Sequence, residues 1–332
     1  MTEDRIRHFG TLPDGTPVRQ VVLSDDALSA DILSFGAALR SLSFEGRPMT
    51  LSLDTLSEYA ERSPHCGAVA GRFANRIAHG RFALDGKSCQ LSRNEAGRTH
   101  LHGGFKGFGR RNWTFRDAGP QSATLAYRSV DGEEGYPGNL EALCTYSLPG
   151  QGRLRILLEA TCDQPTIVNL ATHSYFNLDG SGTIVDHLLT IPAEAYLPVD
   201  ADRIPIGAQA SVTGTPFDFR RPRPIGDFAY DHAFVLSQQA TAEPRPVARL
   251  ESPKTGIMLE IASTEPAIQF YAGQMLGRAG LGAAGRIYGD RAGLCLEPQR
   301  FPDAPNQPGF PSAVLRPGEV YRQITEYRFA RK

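Results

Sequence analysis

Glycine and proline interrupt this chain too often for long helices. With 34 glycines and 24 prolines in 332 residues, a turn-former or helix-breaker falls about once every six positions. A helix averages roughly 10–14 residues, whereas a strand needs only about 5–6. The punctuation therefore predicts a strand-rich chain. Apolar residues alternate with period two in many stretches, which is how a strand presents one face to a core. Two hairpins are legible. Within residues 82–91, Asp85-Gly86 separates two alternating runs, and an Asp-Gly pair is a strong signal for a two-residue type I′ turn. In the second, Leu140, Ala142, Cys144, Tyr146 and Leu148 share one parity. After Pro149-Gly150-Gln151-Gly152, the residues Leu154, Ile156, Leu158, Ala160 and Cys162 share one parity too. Residues 313–315 and 320–329 read as further strands around Arg316-Pro317-Gly318-Glu319. The Pro/Arg-rich segment 216–224 is the nearest approach to a break, and it reads as a surface loop. The expectation is one all-β domain over residues 1–332, a large antiparallel sandwich or a barrel-like relative.

Composition narrows the function. The formal net charge is −1, so no basic surplus exists to neutralise a phosphate backbone, and nucleic acid is not an expected partner. No stretch approaches the roughly 18 apolar residues of a membrane span. Met1-Thr2-Glu3-Asp4-Arg5 is acidic, with no apolar run behind it, unlike a secretory signal. The five cysteines are odd in number and scattered, with no C-x-x-C pair. That argues against a disulfide framework or zinc site and for a cytoplasmic protein with reduced thiols.

Five segments set ionisable groups among glycine and aromatic residues. Residues 71–77 carry Arg72, Asn75 and Arg76; on an extended chain Arg72 and Arg76 would share a face. His100 and His102 form an H-x-H pair before two glycines, a weak metal-type pattern. His173 stands among Thr172, Ser174, Tyr175 and Asn177. Asp231-His232 opens an apolar strand. Glu297 closes another, ahead of Asp303, and a carboxylate there is costly to bury without partners. Taken singly, each has a bland structural reading: a solvated face, a satisfied histidine, a turn residue. Together, imidazoles, carboxylates, guanidinium donors and aromatic rings on a β scaffold suit a sugar, whose hydroxyls need paired donors and acceptors.

These residues carry a resemblance. From about Gly10 to Phe329 the chain resembles the aldose 1-epimerase (galactose mutarotase) family, with matching stretches in order at 71–77, 101–108, 134–138, 173–178, 196–200, 214–219, 231–236, 269–273, 296–306 and 315–319. The resemblance implies an antiparallel β supersandwich and an isomerase of hexose and galactose metabolism. It would interconvert the α and β anomers of free aldoses such as D-glucose and D-galactose without a metal or other cofactor. By resemblance Glu297 is the catalytic base and His173 the acid. Asn75, Arg76, His102, Asp231 and Gln269 bind the sugar, and Tyr175 and Asn177 shape the pocket. The implied partner is a monosaccharide, and the implied assembly a monomer or homodimer. Thr172, Pro298 and Gln274 depart from common family residues. The chemistry requires Glu297 ionised and His173 protonated. Ordinary values of about 4.3 and 6.5 leave a narrow window below neutrality, which neighbouring carboxylates are expected to extend upward. Rival readings are a non-catalytic sugar-binding module, a glycoside hydrolase pairing Glu297 with Asp231 or Asp303, and a phosphosugar epimerase using Arg220, Arg221 and Arg223.

Overall fold

The computed structural model describes residues 5–63 and 65–332, so the reading of Met1–Asp4 lies outside the described residues. Both expected hairpins are present. Arg81–Leu84 pairs with Lys87–Gln90 across Asp85-Gly86, whose φ values of 48° and 77° are the left-handed pair a type I′ turn demands. Leu140–Gly150 pairs with Arg153–Cys162, placing Cys144 opposite Leu158 and Tyr146 opposite Ile156. Its two-residue turn is Gln151-Gly152, both left-handed, because the ladder runs on to Gly150.

Those strands sit inside a nine-stranded sheet. Its order is Thr114–Ala118, Ser122–Ser129, Leu140–Gly150, Arg153–Cys162, Tyr321–Arg331, Ile257–Ser263, Arg245–Glu251, Leu188–Thr190 and Arg223–Pro224. Every neighbour in it is antiparallel. Segment 216–224 is thus less of a surface loop than expected: it ends in an edge strand and buries Phe217 and Phe219. The expected strands near Arg316 both exist but do not pair with each other. Val314–Leu315 joins Thr166–Ile167, while Tyr321–Arg331 enters the middle of the large sheet.

Two more sheets face this one. A five-stranded meander runs from Arg7–Thr11 to Arg47–Pro48. A six-stranded sheet has the order Tyr175–Phe176, Leu294–Gln299, Ala267–Tyr271, Asp231–Val235, Ala195–Tyr196 and Ala210–Ser211. One apolar cluster draws on all three: Tyr146 and Ile156 from the first, Ile32 and Leu42 from the meander, Phe234, Phe270 and Leu296 from the third. Each such side chain contributes about 1.5–3 kcal/mol when fully buried, so the alternation seen in the sequence is what fastens the layers. This is the all-β antiparallel supersandwich. Among the described residues, no helix is long and apolar enough to cross a membrane.

Candidate active site

Alternation in the six-stranded sheet creates the site. Leu294, Leu296, Ile268, Phe270 and Phe234 point into the large core, so the residues between them must leave the opposite face. Those residues are Cys295, Glu297, Gln269, Tyr271 and Asp231. The ladder sets Gln269 opposite Glu297 and Tyr271 opposite Asp231. Tyr175 lies opposite Cys295 on the edge strand. Two loops complete the enclosure. In one, Asn75 and His102 both adopt left-handed φ, 66° and 51°. They lock together through Asn75 N–H donating to His102 Nδ1 at 3.1 Å and His102 N–H to the Asn75 carbonyl at 3.1 Å. The other brings in His65, whose ring centroid is 4.8 Å from that of His102 and 5.8 Å from that of His173.

The result is a cavity of about 250 Å³. Its lining includes Asn75, Arg76, His102, His173, Tyr175, Asp231, Gln269 and Glu297. Drug-sized ligands occupy roughly 300–1,000 Å³, so this space suits a single sugar ring. His173 Nε2 stands 3.9 Å from Glu297 Oε2, too far for a direct hydrogen bond and near enough for one ligand oxygen to bridge them. That Oε2 and the Gln269 side-chain oxygen are buried without a hydrogen-bond partner, leaving two acceptors for a ligand's hydroxyls. Gln269 Nε2 donates to Asp231 at 2.7 Å. Arg76 is gripped by Glu95 through two 2.7 Å hydrogen bonds and stands 3.8 Å from Asp231, which Arg203 also reaches at 3.3 Å. Two guanidinium groups therefore face Glu95 and Asp231, and the rim is charge-balanced.

Burial dominates the protonation states. It pushes the Glu297 carboxyl well above its ordinary value, helped by Asp231 and opposed by Arg76. It depresses the His173 imidazole from 6.5 to about 4, against the pull of Asp231. His102 falls well below 6.5, from burial and then from His65 and His173, and His65 falls to about 3. The expectation that nearby carboxylates would hold an imidazolium at His173 is thus corrected. Desolvation of a ring shielded from water exceeds their attraction. Both shifts run against an ion pair: burial favours the neutral imidazole and the protonated carboxyl.

A family model described as aldose 1-epimerase matches residues 19–328. The chain belongs to the aldose 1-epimerase family. It is 43% identical over 341 residues to galactose mutarotase of Mus musculus, covering 97% of each protein. Aldose 1-epimerase of Escherichia coli K12 is 39% identical, with 96% of each covered. A solved GalM/aldose epimerase homologue from C. elegans superposes with a TM-score of 0.88 at 32% identity, covering 94% of this chain and 98% of that one.

In this aldose 1-epimerase family member, several sequence expectations land elsewhere. Arg72 and Arg76 do not share a face, because the left-handed Asn75 turns the chain between them. Arg72 is buried against Ser129 and the carbonyls of Val130 and Pro137. His100 and His102 part for the same reason, as His102 is also left-handed. His100 bonds the Tyr136 hydroxyl and the Ser92 carbonyl, each at 2.7 Å. Asn177 is not brought to the sugar-sized cavity. It donates to the Ala292 carbonyl at 2.8 Å, accepts from Asp179 N–H, and lines a separate recess near Tyr288. Asp303 accepts from Ala78 N–H, Asn306 and Gln307 and lines another cavity.

The departures from common family residues also fall outside the lining. Thr172 bonds the Tyr327 hydroxyl, the Pro298 carbonyl accepts from Gln323, and Gln274 is absent from the wall. Sequence reasoning missed His65, Glu95, Arg203, Tyr271 and Met275, all in that wall. Alternation could have found Tyr271, which has the parity of Gln269. The other four come from loops or turns, where no periodicity marks them.

Proposed function

We propose that this protein is a mutarotase: an aldose 1-epimerase that interconverts the anomers of a free monosaccharide, D-galactose and D-glucose being the expected substrates. A single observation carries the mechanism. One imidazole, His173, and one carboxyl, Glu297, flank a ring-sized cavity 3.9 Å apart. Glu297 removes the proton from the C1 hydroxyl, and His173 protonates the ring oxygen. The C1–O5 bond opens to the aldehyde, rotation about C1–C2 exposes the other carbonyl face, and reclosure returns both protons.

The neutral pair and the working ion pair hold the same number of protons. Passing from one to the other moves a single proton between Oε2 and Nε2, and a sugar oxygen lying between them offers the path. Arg76, held rigid by Glu95, and His102 stabilise the oxygen on which charge develops. Asp231, Gln269 and Asn75 orient the hydroxyls, and Tyr175 and Tyr271 offer aromatic faces to the ring's C–H groups.

The balanced rim favours a neutral aldose over a phosphosugar. Arg220 is committed to Asp218 and Glu194, and Arg223 to Tyr230 and the Phe219 ring; none of 220, 221 and 223 lines the cavity. The location of Asp303 in a different cavity likewise removes it as a hydrolase partner. Polarimetry on fresh α-D-galactose and α-D-glucose, with glucose 6-phosphate as control, tests the reading. Anomerisation of the free sugars supports it, and activity confined to the phosphosugar would replace it.

A further inference from the structure

The acid–base scheme leaves one polar neighbour of His173 without a task. Cys295 stands two positions before Glu297 and leaves the same strand face. Its Sγ lies 3.5 Å from His173 Nδ1, and the Tyr175 hydroxyl reaches the same sulfur. The other nitrogen of the ring, Nε2, faces Glu297. The imidazole therefore turns one nitrogen to the thiol and the other to the reacting carboxyl, an arrangement suited to orienting the ring.

We infer that Cys295 is a positioning residue for the catalytic imidazole: its thiol engages Nδ1, fixes the ring, and reserves Nε2 for proton exchange with the sugar. This rests on the mutarotase reading above. Burial keeps the sulfur protonated by pushing the thiol well up, so it can serve both states of the histidine. With neutral His173 the ring's own hydrogen sits on Nδ1 and donates to the sulfur, which leaves Nε2 bare to take the proton from Glu297 or the sugar. With imidazolium, Nδ1–H still donates to the sulfur, and the added proton is held on Nε2. Cys295 is fully buried, so water does not compete for Nδ1.

The test compares Cys295→Ser, Cys295→Ala and Cys295→Val with the parent protein. Readouts are kcat and KM on α-D-galactose across pH, long-range ¹H–¹⁵N spectra of the His173 ring, and thermal unfolding. Losing one net hydrogen bond to the ring is expected to lower kcat about 5- to 10-fold in Cys295→Ala and Cys295→Val, with KM unchanged. Their acid limb should move, and the ¹⁵N pattern should turn to mixed tautomers. Serine, which donates and accepts, should restore kcat to within about two-fold by the same reasoning. Parental kcat and ¹⁵N pattern in Cys295→Val overturn the inference. So does a Cys295→Ser protein as slow as Cys295→Ala, since the loss would then be one of packing. If the parent itself anomerises no aldose, the mutarotase reading fails instead, and the ¹⁵N pattern alone decides whether the thiol sets the tautomer.

Discussion

At the scale of single residues, the proposed chemistry rests on two groups whose proton affinities burial shifts in opposite directions. Glu297 is raised and His173 is lowered to about 4. Glu297→Gln and His173→Asn each remove one proton carrier, and general acid–base catalysis contributes about 10²–10⁴-fold. Both variants are expected to lose at least two orders of magnitude in polarimetric rate while melting like the parent; a near-normal rate in either excludes that residue. The pH profile follows from the same values. The working pair holds one proton, and a second is gained only when pH falls through the depressed value of His173. The acid limb of kcat/KM is therefore expected near pH 4, and an alkaline limb well above the usual carboxyl range, where the pair loses its last proton. A limb near 6.5 would mean that His173 keeps its ordinary affinity. His173 and Glu297 were legible in the sequence because a family pattern surrounds them. The directions of their shifts were not, since desolvation depends on walls to which His65 and Tyr271 contribute from distant parts of the chain.

At the scale of elements, Glu297, Gln269 and Asp231 stand on strands, His173 sits between two short strands, and Asn75 and His102 sit in tight turns. The hairpins could be read because their turns and alternation are local. Segments 71–77 and 100–104 pair as strands only at Arg76–Ile77 and His100–Leu101, and the shared faces an extended chain would give are broken where Asn75 and His102 take left-handed φ and hydrogen-bond each other. Gly103 is the hinge of that lock. It has φ of 86°, and a Cβ on it would sit 1.7 Å from the Gly71 carbonyl oxygen. Gly103→Ala is thus expected to cost at least about 2 kcal/mol, from backbone strain and steric displacement together, and to misplace His102 and Asn75. Chemical denaturation measures the first effect. A KM for galactose raised more than kcat is lowered would report the second, and unchanged stability would contradict the geometry.

At the scale of the whole molecule, the sandwich is closed by residues remote in sequence. The strand-rich class could be inferred from glycine and proline spacing, and the inward faces from parity. Strand order could not, because pairing Arg153 with Arg328 depends on surfaces that exist only once several sheets have formed. Tyr321–Arg331 lies between Arg153–Cys162 and Ile257–Ser263 along its length, so a chain stopped after Val320 would bare two long edges in the middle of the sheet. Such a protein is expected to show no cooperative melt and to aggregate; a sharp transition near that of the parent would refute this. The same placement bears on birth in the cell. A ribosome must pass Arg331 before the largest sheet can be completed, so Arg153–Cys162 and Ile257–Ser263 each wait with one partner strand still unsynthesised. Tight coupling between translation and folding is therefore closed to this sheet, and the emerging polypeptide needs shelter until the final stitch arrives.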